Sequence, residues 1–114
     1  MTHTLRLDTL YFEKIKEGRK TVEMRLFDEK RQKIAVGDTL LFADRADPTR
    51  ILETRVVALH RFRNFAELYR AIPHTALGYG EGETADPADM EAYYAKEEQE
   101  KYGVVGIEIS TGRK

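Results

Sequence analysis

Gly18-Arg19-Lys20-Thr21-Val22-Glu23-Met24-Arg25 is the stretch that organises the chain, because two periods meet in it. Upstream, Tyr11, Phe12 and Ile15 recur at helical spacing, with Glu13, Lys14 and Lys16 read as facing away. Asp8 is placed to cap this helix, and Leu7 and Phe12 stand where a hydrophobic staple forms. Gly18 stops it after Glu17, since glycine takes the left-handed conformation at little cost. From Thr21 the period drops to two: Val22, Met24 and Leu26 alternate with Thr21, Glu23 and Arg25. One face of this strand belongs to a core and the other carries chemistry.

Outward from this point the chain alternates strands with single helices. Leu5 to Leu7 reads as a short strand before the first helix. Charge-dense Phe27 to Ile34 reads as a turn or short helix, and Gly37-Asp38 introduces a strand over Thr39 to Ala43. Asp44 to Arg50, with Asp47-Pro48, reads as an exposed connection. A longer strand over Ile51 to Arg61 puts Leu52, Thr54, Val56 and Ala58 on one face. Asn64 caps a helix with Glu67 three residues on, and Phe65, Leu68, Tyr69 and Ile72 form its apolar stripe. Gly78 to Glu83, with three glycines, reads as a mobile surface loop. Asp86-Pro87 starts a helix expected to run to Lys101, and Val104 to Ile109 closes the chain as a strand. This order fits a small α+β domain built on a curled sheet or barrel, whose closure hides edge strands.

The 114 residues leave room for one compact domain over 1–114. Charged residues make up 34%, above the usual ~25%, which indicates a well-solvated surface. The absence of cysteine excludes disulfide scaffolds, thiolate nucleophiles and Cys-ligated zinc. Without a signal-like or membrane-spanning apolar run, the expectation is a soluble cytoplasmic protein. A net charge of −1 conceals an asymmetry: residues 1–70 hold 15 Lys/Arg against 11 Asp/Glu, and residues 71–114 hold 4 against 9. A basic half can attract phosphate-bearing ligands, although a mixed-charge surface has the same composition.

Glu23 and Arg25 project from one side of their strand, and Lys20 just before it can curl toward them. Two cations and a carboxylate so grouped can bind a phosphate, a carboxylate or a nucleobase edge. The same spacing also describes an exposed ion-pair cluster, at under ~1 kcal/mol per pair. Arg19 and Arg25 near Lys20 would lower its pKa. If Glu23 pairs mainly with Arg25, Lys20 can act as a base; if it pairs with Lys20, the lysine is an anchor. Tyr79, in the glycine loop, is the candidate for stacking on a base. Tyr93 and Tyr94 cannot both face a core from one helix. Glu81, Glu83 and Asp86 are close in sequence, but no recognised metal-loop pattern is present, so no metal is expected. His3, His60 and His74 lack ligand spacing and read as surface residues.

In the pattern Gly-x-Lys-x-x-Glu-x-Arg, met as Gly18, Lys20, Glu23 and Arg25, the chain resembles the ASCH domain family in its small bacterial single-domain form. Ile34-x-x-Gly37-Asp38 before an apolar strand is similar to bacterial ASCH proteins as well. So is Tyr93-Tyr94, followed by Glu97-Glu98 and then Lys101-Tyr102-Gly103-Val104-Val105-Gly106-Ile107. The resemblance implies an α+β fold, a PUA-like β-barrel with flanking helices. It also implies recognition of RNA or a modified nucleoside in a cleft beside the barrel, without a cofactor. One branch of similar size hydrolyses N4-acetylcytidine with a Lys, a Thr and a Glu. Its Lys falls at Lys20, its Thr at Glu23 with Thr21 adjacent, and its Glu at Glu81 or Glu83. The implied catalytic residues are thus Lys20, Glu23 and Glu83, and the implied ligand-binding residues are Arg19, Thr21, Arg25, Tyr79 and Glu81. Glu in place of Thr favours an RNA-binding module over a hydrolase, whether an amidohydrolase or a metal-assisted ribonuclease. An adaptor function, with the acidic Pro87 to Lys101 segment meeting a basic partner, is a third class.

Overall fold

The computed structural model describes residues 1–111. Its elements are β1 (Thr2–Leu7), α1 (Thr9–Lys16), β2 (Val22–Leu26), β3 (Thr39–Asp44), β4 (Ile51–Phe62), α2 (Phe65–Ala71), α3 (Lys96–Tyr102) and β5 (Val104–Ser110). Short 3₁₀ segments cover Arg31–Lys33 and Pro87–Ala92. The strands form one sheet in the order β1-β3-β4-β5-β2, parallel between β1 and β3 and antiparallel elsewhere. The sheet curls into a barrel with flanking helices, as expected. Among the described residues no ladder joins its edges, β1 and β2. Instead the Arg25 side chain spans the seam, its Nη2 donating to the Arg6 carbonyl at 2.7 Å.

Two apolar clusters flank this sheet. The barrel interior holds Leu5, Leu7, Leu40, Phe42, Val56, Val105, Ile107 and Ile109, plugged by Phe12 and Ile15 of α1. Outside, Val22, Met24, Leu26 and Val104 pack against Phe65, Leu68, Tyr69 and Ile72. The α2 stripe is thus buried as read, and each aliphatic side chain contributes roughly 1.5–3 kcal/mol. Asn64 accepts from the Glu67 amide at 2.9 Å, and Glu67 reaches back to the Arg63 amide at 3.0 Å.

Register explains where the charges of β2 go. Directly opposed residues share a sheet face, and Glu23 faces Ile107 while Arg25 faces Val105. The face alternating with Val22, Met24 and Leu26 therefore points toward the barrel interior, so all five residues of β2 are buried.

Several readings change. The ladder shifts register between Val56 and Ala58, a bulge that flips the inward parity, so Leu59 rather than Ala58 opposes Ile107 and packs on the inner cluster. Asp44 is not part of an exposed connection: it is buried and accepts from Thr9 Oγ1 at 2.6 Å, the Ala46 amide at 3.0 Å and Arg50 at 3.1 Å. Arg50 also pairs with Glu13 and lies 4.7 Å over the Phe12 ring, so this connection is tied to α1.

The helix expected from Pro87 to Lys101 is broken. Asp86 caps a 3₁₀ turn through the Ala88 amide, the chain extends at Ala95, and α3 begins at Lys96. The break resolves the tyrosine conflict: Tyr94 stacks on Phe65 at 5.9 Å, while Tyr93 reaches across to Asp8 at 3.4 Å. Gln99 fixes the new helix, its Oε1 accepting from the Phe65 amide and its Nε2 donating to the Tyr94 carbonyl. The histidines also have partners: His3 binds Asp38 and His60 binds Glu108, each part-buried, and His74 binds the Tyr69 carbonyl.

Candidate functional site

The open seam between β1 and β2 leaves a cavity of about 240 Å³. Its floor is the polar face of β2. Glu23 Oε2 accepts from Arg25 Nε at 2.8 Å and forms an ion pair with its Nη2 at 2.8 Å, and Oε1 lies 3.4 Å from Lys20 Nζ. Lys20, Glu23 and Arg25 are 3%, 5% and 7% exposed, so the cluster is a buried network and not a solvated ladder. Neither alternative for Glu23 holds alone, because the one carboxylate serves both cations.

Two loop carbonyls complete the floor. Lys20 Nζ donates to Leu77 O at 3.0 Å, and Lys14 Nζ donates to Gly78 O at 2.6 Å. Gly78 has φ +100°, and a Cβ there would stand 3.2 Å from Lys20 Cδ, so glycine is what lets the loop lie against the lysine. The loop expected to be a mobile surface segment is pinned at its start by these two ammonium groups. Glu83 adds a local tie, accepting from the Gly80 amide at 2.6 Å.

The walls are aromatic. Five of the six tyrosines line the cavity: Tyr11, Tyr69, Tyr79, Tyr93 and Tyr94. Lys20 and Lys14 sit 5.7 and 6.0 Å from the Tyr11 ring centroid. Tyr79 is half-buried, with its hydroxyl bonded to Tyr69 at 2.8 Å and to Asp89 at 2.7 Å, which fixes its ring in the wall.

Burial, the largest influence on Lys20, pushes its pKa below the ordinary 10.5, while Glu23 opposes the shift. Burial alone would raise Glu23, but the charges of Arg25 and Lys20 outweigh it and hold its carboxyl below 4.5. Burial pushes Tyr93 up to about 12 and raises Tyr69 as well. Lys14, Lys20 and Arg25 give the floor three buried cations against the one buried carboxylate of Glu23. The rest of the lining adds Arg6 and Arg45 against Asp8, Glu83 and Asp89, so the excess of cations belongs to the floor, whose donors suit carbonyl oxygens.

Of the residues singled out from sequence, Lys20, Glu23, Arg25, Tyr79 and Glu83 line this cavity. Glu83 is half-exposed at the mouth, with Oε1 3.9 Å from Lys14 Nζ. Arg19, Thr21 and Glu81 do not line it. Arg19 is exposed and pairs with Glu17 at 2.8 Å. Thr21 is exposed, and its backbone joins Ala76 and Ile109. Glu81 is exposed. Lys14 was missed, although it stands three residues after Tyr11, at the edge of the buried stripe where a lysine stem can lie along apolar surface. Among the described residues no three His, Asp or Glu side chains are grouped to hold a metal ion, and no helix is long and apolar enough to cross a membrane.

The ASCH domain family model matches residues 5–112. The chain belongs to the ASCH domain family. Two solved structures share its fold over nearly their whole length. The crystal structure of hypothetical protein PH0355 is 29% identical, with a TM-score of 0.81, covering 96% of this chain and 98% of that one. The solution NMR structure of protein PF0455 from Pyrococcus furiosus is 31% identical, with a TM-score of 0.74, covering 96% of each chain. Comparison with curated proteins gives no match. Lys20, Glu23 and Arg25, on which the sequence resemblance rested, form the floor of the seam cavity.

Proposed function

We propose that this ASCH domain binds RNA by taking a single nucleobase, plain or modified, into the seam cavity. The observation that carries the reading is the pairing of five tyrosine rings with a donor-rich floor. A nucleobase is flat and carries carbonyl oxygens on its edge, and ring stacking is worth ~1–3 kcal/mol per base. At about 240 Å³ the cavity is smaller than the ~300–1,000 Å³ of drug-sized pockets and suits one ring with its sugar outside. Arg25, Lys20 and Lys14 supply N–H donors, and Glu23 holds Arg25 and Lys20 in place.

The lowered pKa of Lys20 favours a second reading, hydrolysis of an acylated cytidine amide. A neutral Lys20 amine would accept a proton from water, Arg25 would hold charge developing on the carbonyl oxygen, and Glu83 at the mouth would relay a proton. Two assays separate the readings. The chain has no tryptophan, so tyrosine fluorescence reports on the cavity wall directly. Titration with a panel of nucleosides and modified nucleosides should quench it, with the response weakened in Lys20→Ala and Arg25→Ala. Quenching that is equal in both variants and the unaltered chain contradicts the binding reading. Release of acetate from N4-acetylcytidine, absent in Lys20→Arg, establishes the hydrolase instead.

A further inference from the structure

The cavity accounts for one base, yet the described residues also form a second concave surface at the opposite end of the barrel. There β2 and β4 end and β5 begins, and the groove is open and about 920 Å³. Four cations line it, Arg61, Arg63, Arg70 and Lys101, against two carboxylates, Glu67 and Glu100. Arg63 is engaged by Glu67 at 2.9 Å. Arg61 makes no ion pair among the described residues. Its guanidinium lies 4.0 Å over the Phe27 ring, and Lys101 Nζ lies 5.0 Å from the Tyr102 ring centroid. A cation held over a ring keeps N–H donors for an anion, and the ring holds it without neutralising it. Phe27 and Tyr102 each carry a cation, so the groove presents charge beside its rings, which suits phosphate.

We infer that this groove holds the phosphodiester backbone of the single-stranded RNA whose base enters the seam cavity, with Arg61 and Lys101 as its phosphate contacts. The inference rests on the RNA-binding reading above and extends it to a second contact on the opposite end of the barrel. A nucleoside reaches only the cavity, whereas an oligonucleotide long enough to pass round the barrel engages both.

The test uses a fluorescein-labelled single-stranded RNA of about 12 nucleotides and mixed sequence, within the ~4–16 nucleotides of single-strand sites. Its affinity is measured by anisotropy across a salt series, beside a nucleoside titration followed by tyrosine fluorescence. Arg61→Gln with Lys101→Gln should weaken the oligonucleotide roughly tenfold at moderate salt. It should reduce the slope of log K against log salt by about 1.4, two contacts at ~0.7 each. Nucleoside binding should be unchanged, and Arg61→Lys with Lys101→Arg should restore most of the slope. Thermal unfolding of each variant confirms the fold. An unchanged slope in the double Gln variant, with the oligonucleotide still lost in Lys20→Ala, overturns the groove and leaves the cavity reading standing. No nucleoside quenching but an oligonucleotide slope that depends on Arg61 and Lys101 overturns the cavity reading and keeps the groove. Competition by poly-glutamate as effective as by RNA overturns the groove as an RNA site in favour of an acidic polypeptide. Absence of oligonucleotide binding by the unaltered chain overturns both.

Discussion

Glu23→Gln keeps the shape of a buried side chain and removes the one negative charge that Lys20 and Arg25 share. The cations retain carbonyl acceptors, Leu77 O and Arg6 O, so hydrogen bonding survives and charge balance does not. Removing one partner of a buried ion pair costs about 3–5 kcal/mol, because the other charge stays out of water unpaired. At roughly 4 °C per kcal/mol for a domain of this size, Tm should fall by about 12–20 °C. The pH dependence carries more information. Lys20 is already held below 10.5 by burial, and Glu23 is the first influence opposing that, so the variant lysine should lose its proton at still lower pH. The unfolded chain keeps that proton up to 10.5, so stability rises with pH between the folded pKa and 10.5, and this window should open further downward in the variant. In acid the slope has the same sign for the unaltered chain. Glu23, held below 4.5, contributes stability that is present above 4.5 and lost as pH falls through its folded pKa. The variant lacks that loss, so the two chains should converge in acid, whereas at high pH a deficit remains because Arg25 keeps its charge and has lost Glu23. Urea unfolding over the full pH range checks this. A deficit of less than about 1 kcal/mol, flat in pH, would mean the cluster behaves as a surface pair and would refute the reasoning.

Other expectations follow from single contacts. Gly78→Ala should cost about 1–3 kcal/mol by backbone strain at φ +100°. Pressing on Lys20 Cδ, it should also weaken nucleoside quenching, which a purely structural glycine would leave intact. Lys14→Met keeps the buried stem but removes the donor to Gly78 O, and should loosen the loop, read as faster amide exchange from Gly78 to Glu83. Asp38 is held at about 2, first by its bond to His3. Its contribution should therefore be present above 3.8 and lost as pH falls toward about 2, and Asp38→Asn should flatten that part of the acid unfolding curve.

The fold was legible wherever one period governed a segment. The α2 stripe, the Asn64 cap and the alternation of β2 all depend on local spacing, and local spacing is what a sequence displays. Where long-range packing decided, the reading departed. The bulge at Val57 exchanges Ala58 for Leu59 because β5 sets the register, and nothing in Val56-Val57-Ala58 announces it. The break between Ala92 and Lys96 arises because Tyr94 finds Phe65, which lies 29 residues earlier. At the site, Lys20, Glu23 and Arg25 were visible as a group, but their burial was not, since it follows from curling β2 toward β1 across the seam. Lys14 escaped because an ammonium three residues after a tyrosine looks like any solvated helix residue until a loop carbonyl closes over it.

The most direct measurement of the central claim is photo-cross-linking of single-stranded RNA carrying 4-thiouridine, followed by mass-spectrometric location of the adduct. A base seated in the seam cavity should attach to Tyr11, Tyr79, Tyr93 or Tyr94, and the adduct should be lost in Arg25→Ala and competed by free nucleoside. Adducts confined to residues outside the cavity, and indifferent to Arg25→Ala, would contradict recognition of a base between the tyrosine walls and the Lys20–Glu23–Arg25 floor.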